Sequence, residues 1–234
     1  MHLFQKLIHS SKHFRMVGLG SSNTEHFLSG MHWFEILDIG IKQTREVRKH
    51  ICINSGVGGD TTVRALARFE RDVALFKPDV TLVTLGLNDA NPTQGISTED
   101  YKAHLITIVN QLRDLGSIPL LQTYYACPPE RVDPSRYAGF LQNMERTREV
   151  AAELDVLLID QLRRWELLRL NFPDLYAPLL EDHLHLNRHG NLLMGLELCR
   201  ALHLDVGEDA PDFWAATREL QNKMDSVDPT ITTA

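Results

Sequence analysis

Residues 16–25 of the chain read Met-Val-Gly-Leu-Gly-Ser-Ser-Asn-Thr-Glu and follow a short apolar segment. An apolar segment that runs into glycines and then into hydroxyl side chains is typical of a turn between a β-strand and a helix. Gly18 and Gly20 nearly match the dinucleotide fingerprint G-x-G-x-x-G, whose backbone amides hold a pyrophosphate. Ser22 supports a second interpretation, in which the turn carries a nucleophile.

Five short runs rich in β-forming residues recur along the chain, at residues 14–17, 51–53, 80–85, 118–122 and 156–159. None of them alternates cleanly between apolar and polar residues, which favours strands buried on both faces. Segments with helical periodicity separate these runs. The alternation predicts an α/β fold, a three-layer flavodoxin-like sandwich with a five-stranded parallel sheet and helices on both faces.

The sequence also predicts how the chain is divided into domains and where its helices lie. We expect a single domain over residues 1–207 and, because the chain turns polar and acidic after it, a peripheral helix and frayed tail over residues 208–234. A last helix of the domain is predicted from Asn187 to Leu202. The earlier apolar positions with helical spacing are Phe27, Met31, Phe34 and Leu37; Val63, Leu66, Phe69 and Val73; Tyr101, Leu105, Ile108 and Leu112; and Leu141, Met144, Thr147 and Val150.

Composition excludes several classes of partner. The formal net charge of −7 argues against nucleic acid and against an anionic membrane surface, so we expect a small-molecule partner. No stretch is apolar enough for a membrane span or a signal peptide, which predicts a cytoplasmic protein. The three cysteines suggest neither a disulfide framework nor a thiolate zinc site. The oligomeric state is not predicted.

The turns after the strands decide between the two interpretations, because ligands of such sheets bind outside the carboxyl ends of the strands. The second strand ends in Asn54, where a dinucleotide site has an acidic residue for the ribose. The loop at residues 56–61 also lacks the lysine of a phosphate-binding loop. We therefore expect no cofactor. Asp182 and His185, three residues apart, instead supply a histidine base and a carboxylate that orients it.

These residues belong to four ordered blocks that resemble the SGNH, or GDSL-like, hydrolase family of esterases and acylhydrolases. The blocks are Gly20-Ser-Ser-Asn-Thr24, Gly58-Gly-Asp-Thr-Thr62, Gly86-Leu-Asn-Asp89 and Asp182-His-Leu-His185, and the resemblance extends from Met16 to about Leu204. It implies that Ser22 is the nucleophile, with Asp182 and His185 completing the triad. It also implies that the backbone N–H groups of Ser22 and Gly59 and the side-chain amide of Asn88 form the oxyanion hole. The family usually has Asp immediately before the nucleophile, where this chain has Ser21.

Each block also has a purely structural interpretation. Ser22 with Glu25 fits a capping box at a helix start, and Gly59 and Asn88 are common turn residues. A metal site within residues 182–189, which contain Asp182, His183, His185 and His189, is the less favoured alternative to a triad, and we expect no metal.

The expected activity is hydrolysis of a small-molecule carboxylic ester through an acyl-enzyme on Ser22, by an esterase or acylhydrolase that is either lipase-like or a carbohydrate deacetylase. Transfer of the acyl group to an alcohol would use the same residues, and a catalytically silent binding module on the same fold is the alternative from another class. Aromatic and leucine side chains at residues 123–134 and 165–180 suggest an apolar acyl pocket or, alternatively, part of the core.

Overall fold

The computed structural model describes residues 1–10, 12–26, 30–45, 49–206 and 213–229. At its centre lies a sheet of five parallel strands in the order β2-β1-β3-β4-β5. The predicted α/β fold with a five-stranded parallel sheet is therefore confirmed. The strands are β1 (Phe14–Gly20), β2 (His50–Gly56), β3 (Val80–Thr84), β4 (Ile118–Gln122) and β5 (Leu157–Ile159).

Helices connect successive strands, as parallel pairing requires. Short 3-10 segments lie at Ala74–Phe76, Pro92–Gln94, Pro129–Arg131 and Ala177–Leu179. Within the described residues the α-helices are α1 (His2–Ile8), α2 (Trp33–Thr44), α3 (Thr62–Ala67), α4 (Phe69–Asp72), α5 (Thr98–Asp114), α6 (Pro134–Glu153), α7 (Gln161–Asn171), α8 (Pro173–Tyr176), α9 (Arg188–Ala201) and α10 (Phe213–Val227).

The two faces of the sheet carry separate hydrophobic clusters, because successive side chains of a strand point to opposite sides. In β1, for example, Met16 belongs to one cluster and Val17 to the other. Residues of α1, α2, α7 and α9 complete the first cluster, residues of α3 and α5 complete the second, and α6 contributes to both. Helices therefore cover both faces of the sheet, as predicted.

Strand β2 departs from the expectation of burial on both faces. It lies at the edge of the sheet, most of its side chains are half-buried, and Ile51 is 46% exposed. Among the described strands only β1 pairs with it, so one edge of β2 has no neighbouring strand there. The interior strands β3 and β4 do fit the expectation, since nearly all of their side chains are buried.

The connection after β1 differs from the predicted helix. Residues 21–25, here called the Ser22 turn, form a single turn in which Ser21 O accepts hydrogen bonds from Thr24 N and Glu25 N, both at 2.9 Å. Helix α2 begins only at Trp33. The interpretation of Ser22 as the N-cap of the following helix is therefore wrong.

The N-cap of α2 is His32, whose ring accepts a hydrogen bond from Phe34 N at 3.3 Å. The side chain of Glu35 in turn accepts from His32 N at 2.9 Å, which completes a capping box. The sequence did not predict the start of α2 at this position, because histidine is an uncommon N-cap residue. Phe27, which was expected inside the helix, lies outside the described residues.

Two other helical segments were predicted with small errors. The segment from Val63 to Val73 divides into α3 and α4 at Arg68, and Leu141 of α6 is 37% exposed where the pattern predicted a buried position. The last helix of the domain matches closely, since Asn187 is the N-cap of α9.

Helix α10 packs against α7 and α9, and its Met224 is buried. The predicted division of the chain at residue 207 and the tail at residues 230–234 lie outside the described residues, so the domain boundaries stay a prediction.

Candidate active site

The carboxyl ends of β2, β1 and β3 lie side by side, and their last residues are level with one another. In the register of the sheet, Gly20 is paired with both Gly56 and Thr84. The loops that follow these strands therefore open at the same edge of the sheet. Together with the loop before α9, they bring Ser22, Gly59, Asn88 and His185 to the wall of one open groove of about 560 Å³.

Ser22, His185 and Asp182 form a continuous chain of hydrogen bonds. Ser22 Oγ lies 2.9 Å from His185 Nε2, and His185 Nδ1 lies 2.7 Å from Asp182 Oδ2. Because an ionised carboxylate can only accept, the ring proton lies on Nδ1 and Nε2 presents its lone pair to the serine. The hydroxyl of Ser22 therefore donates to His185, which is the arrangement that removes a proton from a nucleophile.

The loop that carries His185 is shaped by the same carboxylate. Asp182 Oδ1 accepts hydrogen bonds from Leu184 N at 2.6 Å and from His185 N at 2.8 Å. Partial burial raises the pKa of Asp182, but the hydrogen bonds from His185 and Leu184 outweigh it and hold that pKa below its ordinary value. Asp182 is therefore ionised at neutral pH, and one side chain fixes both the backbone and the ring of the histidine.

Three N–H groups of residues that line the groove keep at least one hydrogen without an acceptor among the described residues. Within the described residues, the backbone N–H groups of Ser22 and Gly59 have no acceptor. Gly59 has a φ of +76°, a left-handed conformation that favours glycine. Asn88 Nδ2 donates one of its two hydrogens to Asp60 O at 3.0 Å, and the second is left for another acceptor.

Ser21, which occupies the position of the family's Asp, is an interior residue. Its side chain is 1% exposed, and its Oγ lies 2.6 Å from the hydroxyl oxygen of Tyr124. A neutral hydroxyl pair thus joins the Ser22 turn to the end of β4. The departure from the family pattern therefore lies in the interior, at the contact between the Ser22 turn and Tyr124.

Asn23 connects the Ser22 turn to the histidine loop, a role that sequence reasoning missed. Its Nδ2 donates to Leu184 O at 2.8 Å, and its Oδ1 accepts from the Tyr125 hydroxyl at 2.9 Å. The Tyr125 hydroxyl also contacts Leu184 O. The partners of Asn23 lie more than a hundred residues away along the chain, so no local signal revealed them.

The backbone carbonyl of Asn23 is held from the other side by α2. His32 Nε2 donates to Asn23 O at 3.1 Å, and Trp33 Nε1 donates to the same oxygen at 2.6 Å. Burial lowers the pKa of His32 to about 4, partly offset by the hydrogen bond to Asn23, so the ring is neutral at pH 7. Neutrality lets one ring nitrogen cap α2 while the other donates to the turn.

Most of the aromatic side chains that suggested an acyl pocket belong to the core instead. Tyr124, Tyr125 and Trp165 are fully buried, and Tyr176 is 4% exposed. The interpretation of these side chains as an apolar pocket is therefore wrong. Five polar side chains line the groove in addition to the residues named above, and they are Glu25, Arg64, Asn91, Gln94 and Arg136.

One group of potential metal ligands exists in the described part of the chain, at a place the sequence did not indicate. The ligand atoms of Asp38, His50 and Cys52 lie within 4.8 Å of one another. Burial raises the pKa of Asp38, but hydrogen bonds from His50, Lys42 and Cys52 lower it to about 2. Residues 182–189 hold no comparable group among the described residues, and their Asp182–His185 contact is the hydrogen bond described above.

None of the helices formed by the described residues has the length and apolar character needed to cross a membrane. The predicted cytoplasmic location is not tested by this observation and stays a prediction.

Comparisons with known proteins agree with the geometry. Residues 19–193 match the model of the GDSL-like Lipase/Acylhydrolase family. The chain is 26% identical over 164 residues to an acetylxylan esterase from Geobacillus stearothermophilus, covering 66% of this chain and 71% of that protein. It is also 26% identical over 178 residues to the uncharacterized lipoprotein YqeF of Bacillus subtilis (strain 168), covering 64% of this chain and 71% of that protein.

Solved structures show the same fold. The crystal structure of the acetylxylan esterase from Geobacillus stearothermophilus superposes with a TM-score of 0.69 at 21% identity, covering 84% of this chain and 97% of that one. A lipase/acylhydrolase from Enterococcus faecalis superposes with a TM-score of 0.68 at 22% identity, covering 83% and 99%. The family match spans most of the chain and all four motif blocks. The chain therefore belongs to the GDSL-like lipase/acylhydrolase family and is an ester hydrolase of the SGNH type.

Proposed function

We propose that the protein cleaves a small-molecule carboxylic ester through an acyl-enzyme on Ser22. The observation that carries this proposal is the chain of hydrogen bonds from Ser22 Oγ through His185 to Asp182. It supplies a nucleophile, a base and a carboxylate that orients the base, each within hydrogen-bonding distance of the next.

In the first step His185 Nε2 takes the hydroxyl proton while Ser22 Oγ attacks the ester carbonyl carbon. The carbonyl oxygen gains negative charge and accepts hydrogen bonds from Ser22 N, Gly59 N and Asn88 Nδ2. Asp182 stabilises the imidazolium without taking its proton. The tetrahedral intermediate collapses when the C–O bond to the alcohol breaks, and His185 gives its proton to the departing oxygen.

The second step repeats this chemistry with water. His185 removes a proton from a water molecule that attacks the acyl carbon, and the Ser22 oxygen leaves with the proton that the histidine held. Carboxylic acid and free enzyme result. An alcohol in place of water would give acyl transfer with the same residues.

The groove is lined by polar side chains together with Leu87 and Leu184, and the polar ones support a substrate with hydroxyl groups near the ester. Asn91 and Gln94 offer amide groups to substrate hydroxyls. The relative named acetylxylan esterase supports a short acyl group on a polyhydroxylated alcohol.

A fluorophosphonate probe tests the nucleophile without requiring the substrate. We expect the intact mass of the wild-type protein to increase by one probe adduct and that of Ser22→Ala to stay unchanged. Ser21→Ala is the matched control, because it removes the adjacent hydroxyl, which is buried. Ester turnover by Ser22→Ala should fall by a factor on the order of 10⁶.

Labelling of Ser22→Ala at wild-type rate would show that another residue is the nucleophile. Failure of the folded wild-type protein to react with the probe would instead favour a catalytically silent binding module, in which the same groove holds an ester without cleaving it.

A further inference from the structure

Two arginines line the groove without a carboxylate partner. Arg64 Nη1 donates to Gly59 O at 2.9 Å, and its Nη2 lies 3.4 Å from Gln94 Oε1. Arg136 Nη2 donates to Asn88 Oδ1 at 3.2 Å. Within the described part of the chain, neither guanidinium forms an ion pair.

Several arginines outside the groove pair with acids, although the side chains of Arg15 and Arg113 contact only backbone carbonyls among the described residues. Arg68 and Arg148, which do not line the groove, are both paired with acids. Arg68 Nε lies 2.5 Å from Asp60, and Arg148 Nε lies 2.8 Å from Asp160. The groove arginines thus keep a positive charge that the described residues do not balance by direct contact.

Both arginines are anchored to residues of the proposed oxyanion hole. Arg64 holds the carbonyl of Gly59, and Arg136 holds the side-chain oxygen of Asn88. Each guanidinium has five N–H donors and spends at most two of them on these contacts. Among the described residues the buried Nε of Arg136 has no partner, so the donors that remain available are those of the Nη atoms. A planar fork of this kind matches a carboxylate, with two parallel charge-assisted hydrogen bonds.

The protein around the two arginines is negatively charged, so their positive charge can attract an anion only at short range. The groove is also lined by the acidic residue Glu25. The whole chain carries a net charge of −7, so its long-range field repels anions. An anion would therefore be recognised by direct contact with Arg64 and Arg136.

We propose that the groove selects ester substrates that also carry a carboxylate, which Arg64 and Arg136 bind beside the ester group under attack. This inference rests on the proposed hydrolase function for its biological meaning, but the binding site itself is testable without turnover. The carboxylate can belong to the acyl half or to the alcohol half of the ester, and two ligand pairs distinguish these sources.

The experiment is titration calorimetry on Ser22→Ala, which keeps the groove and cannot form the acyl-enzyme. Monomethyl succinate, with the carboxylate in the acyl half, is compared with neutral dimethyl succinate. Acetoxyacetate, with the carboxylate in the alcohol half, is compared with its neutral methyl ester. We expect the charged member of one pair to bind about tenfold to about a hundredfold more tightly, the range for a charge-assisted hydrogen bond.

Arg64→Gln and Arg136→Gln, each added to Ser22→Ala, should reduce that preference to near unity. Arg131→Gln is the matched control, because it removes the same charge from an exposed side chain that does not line the groove. Equal binding of charged and neutral esters, no binding of any ligand, or a preference that survives both substitutions would overturn the carboxylate site. A preference that Arg131→Gln also abolishes would overturn it too, by showing an effect of net charge alone.

Failure of the hydrolase proposal gives a different result. If Ser22→Ala binds the charged ester through the two arginines but wild-type protein neither hydrolyses esters nor reacts with fluorophosphonate, the carboxylate site stands and the hydrolase function fails. Hydrolysis of charged and neutral esters at equal kcat/KM, together with equal binding, keeps the function and removes the carboxylate site.

Discussion

Replacing Gly56 by alanine tests whether the end of β2 fixes the position of the Ser22 turn. A Cβ at this position would lie 2.2 Å from Glu25 N and 2.4 Å from the carbonyl carbon of Thr24. Non-bonded carbon atoms prefer a separation of roughly 3.5–4.0 Å. The added methyl therefore has to displace the Ser22 turn or the end of β2 by about 1 Å.

The expected result is a large loss of activity with a modest loss of stability. A displacement of about 1 Å in a catalytic group costs on the order of 100-fold in rate, so kcat/KM of Gly56→Ala should fall by about that factor. Overpacking should lower the free energy of unfolding by about 1–3 kcal/mol. The residue itself tolerates a side chain in its backbone conformation, since Gly56 is not among the residues with positive φ.

Hydrolysis of p-nitrophenyl acetate and the rate of fluorophosphonate labelling measure the activity, and urea unfolding measures the stability. Gly139→Ala in α6 is the control, because its Cβ would lie no closer than 3.4 Å to Ala90 O and alanine favours the helix. Wild-type kcat/KM in a stably folded Gly56→Ala protein would refute the reasoning. It would show that the edge strand β2 moves aside while the Ser22 turn stays in place.

Three further substitutions test other contacts of the site. Asn88→Ala should lower kcat by about 10²- to 10³-fold in steady-state assays, because one of three proposed oxyanion donors is lost, and an unchanged rate would remove Asn88 from that role. Tyr125→Phe should lower the free energy of unfolding by about 1–3 kcal/mol in urea, because Leu184 O and Asn23 Oδ1 lose a buried donor. Burial lowers the pKa of His32 from 6.5 to about 4. Between these two pH values the ring binds a proton in the unfolded chain but not in the folded protein. Between pH 7 and pH 4, the free energy of unfolding should therefore fall by about 3 kcal/mol more in the wild type than in His32→Asn. The asparagine of this variant keeps a side chain that can cap α2. Equal pH dependence of the two proteins would contradict the prediction.

The sequence predicted the sheet well because the interior strands are the most constrained part of the fold. β3 and β4 are covered on both faces, so their sequences are short and predominantly apolar. The location of the site could be predicted from the sheet, since the carboxyl ends of adjacent parallel strands meet at one edge. The structure brings Ser22, Gly59, Asn88, Asp182 and His185 together there, while their catalytic roles stay predictions.

The connection from β1 to α2 was harder to predict because it depends on distant residues. Ser22 and Glu25 have the composition of a capping box, but the chain forms only one turn there and the helix starts eleven residues after Ser22, at Trp33. Asn23 is fixed by Leu184 and Tyr125, which belong to other loops. Helix propensity reflects only the nearest few residues of the sequence, and tertiary contacts between residues far apart in the chain override it.

The lining of the groove was missed for a similar reason. Arg136 stands in the first turn of α6, where the sequence shows only an exposed polar residue of an amphipathic helix. Its contact with Asn88 spans 48 residues. The sequence indicated a pocket of aromatic residues instead, although Tyr124 and Tyr125 lie in the core.

The contact between Ser22 and His185 joins positions 163 residues apart, and it has a consequence for how activity arises during folding. A chain whose sheet has formed but whose α9 has not docked contains the serine without its base. Contacts of such long range close late, because the loop entropy must be overcome first. Turnover should therefore recover after far-UV circular dichroism during refolding, and simultaneous recovery of both signals would contradict this order. Incompletely folded chains would then carry no hydrolytic activity against esters that they meet in the cell.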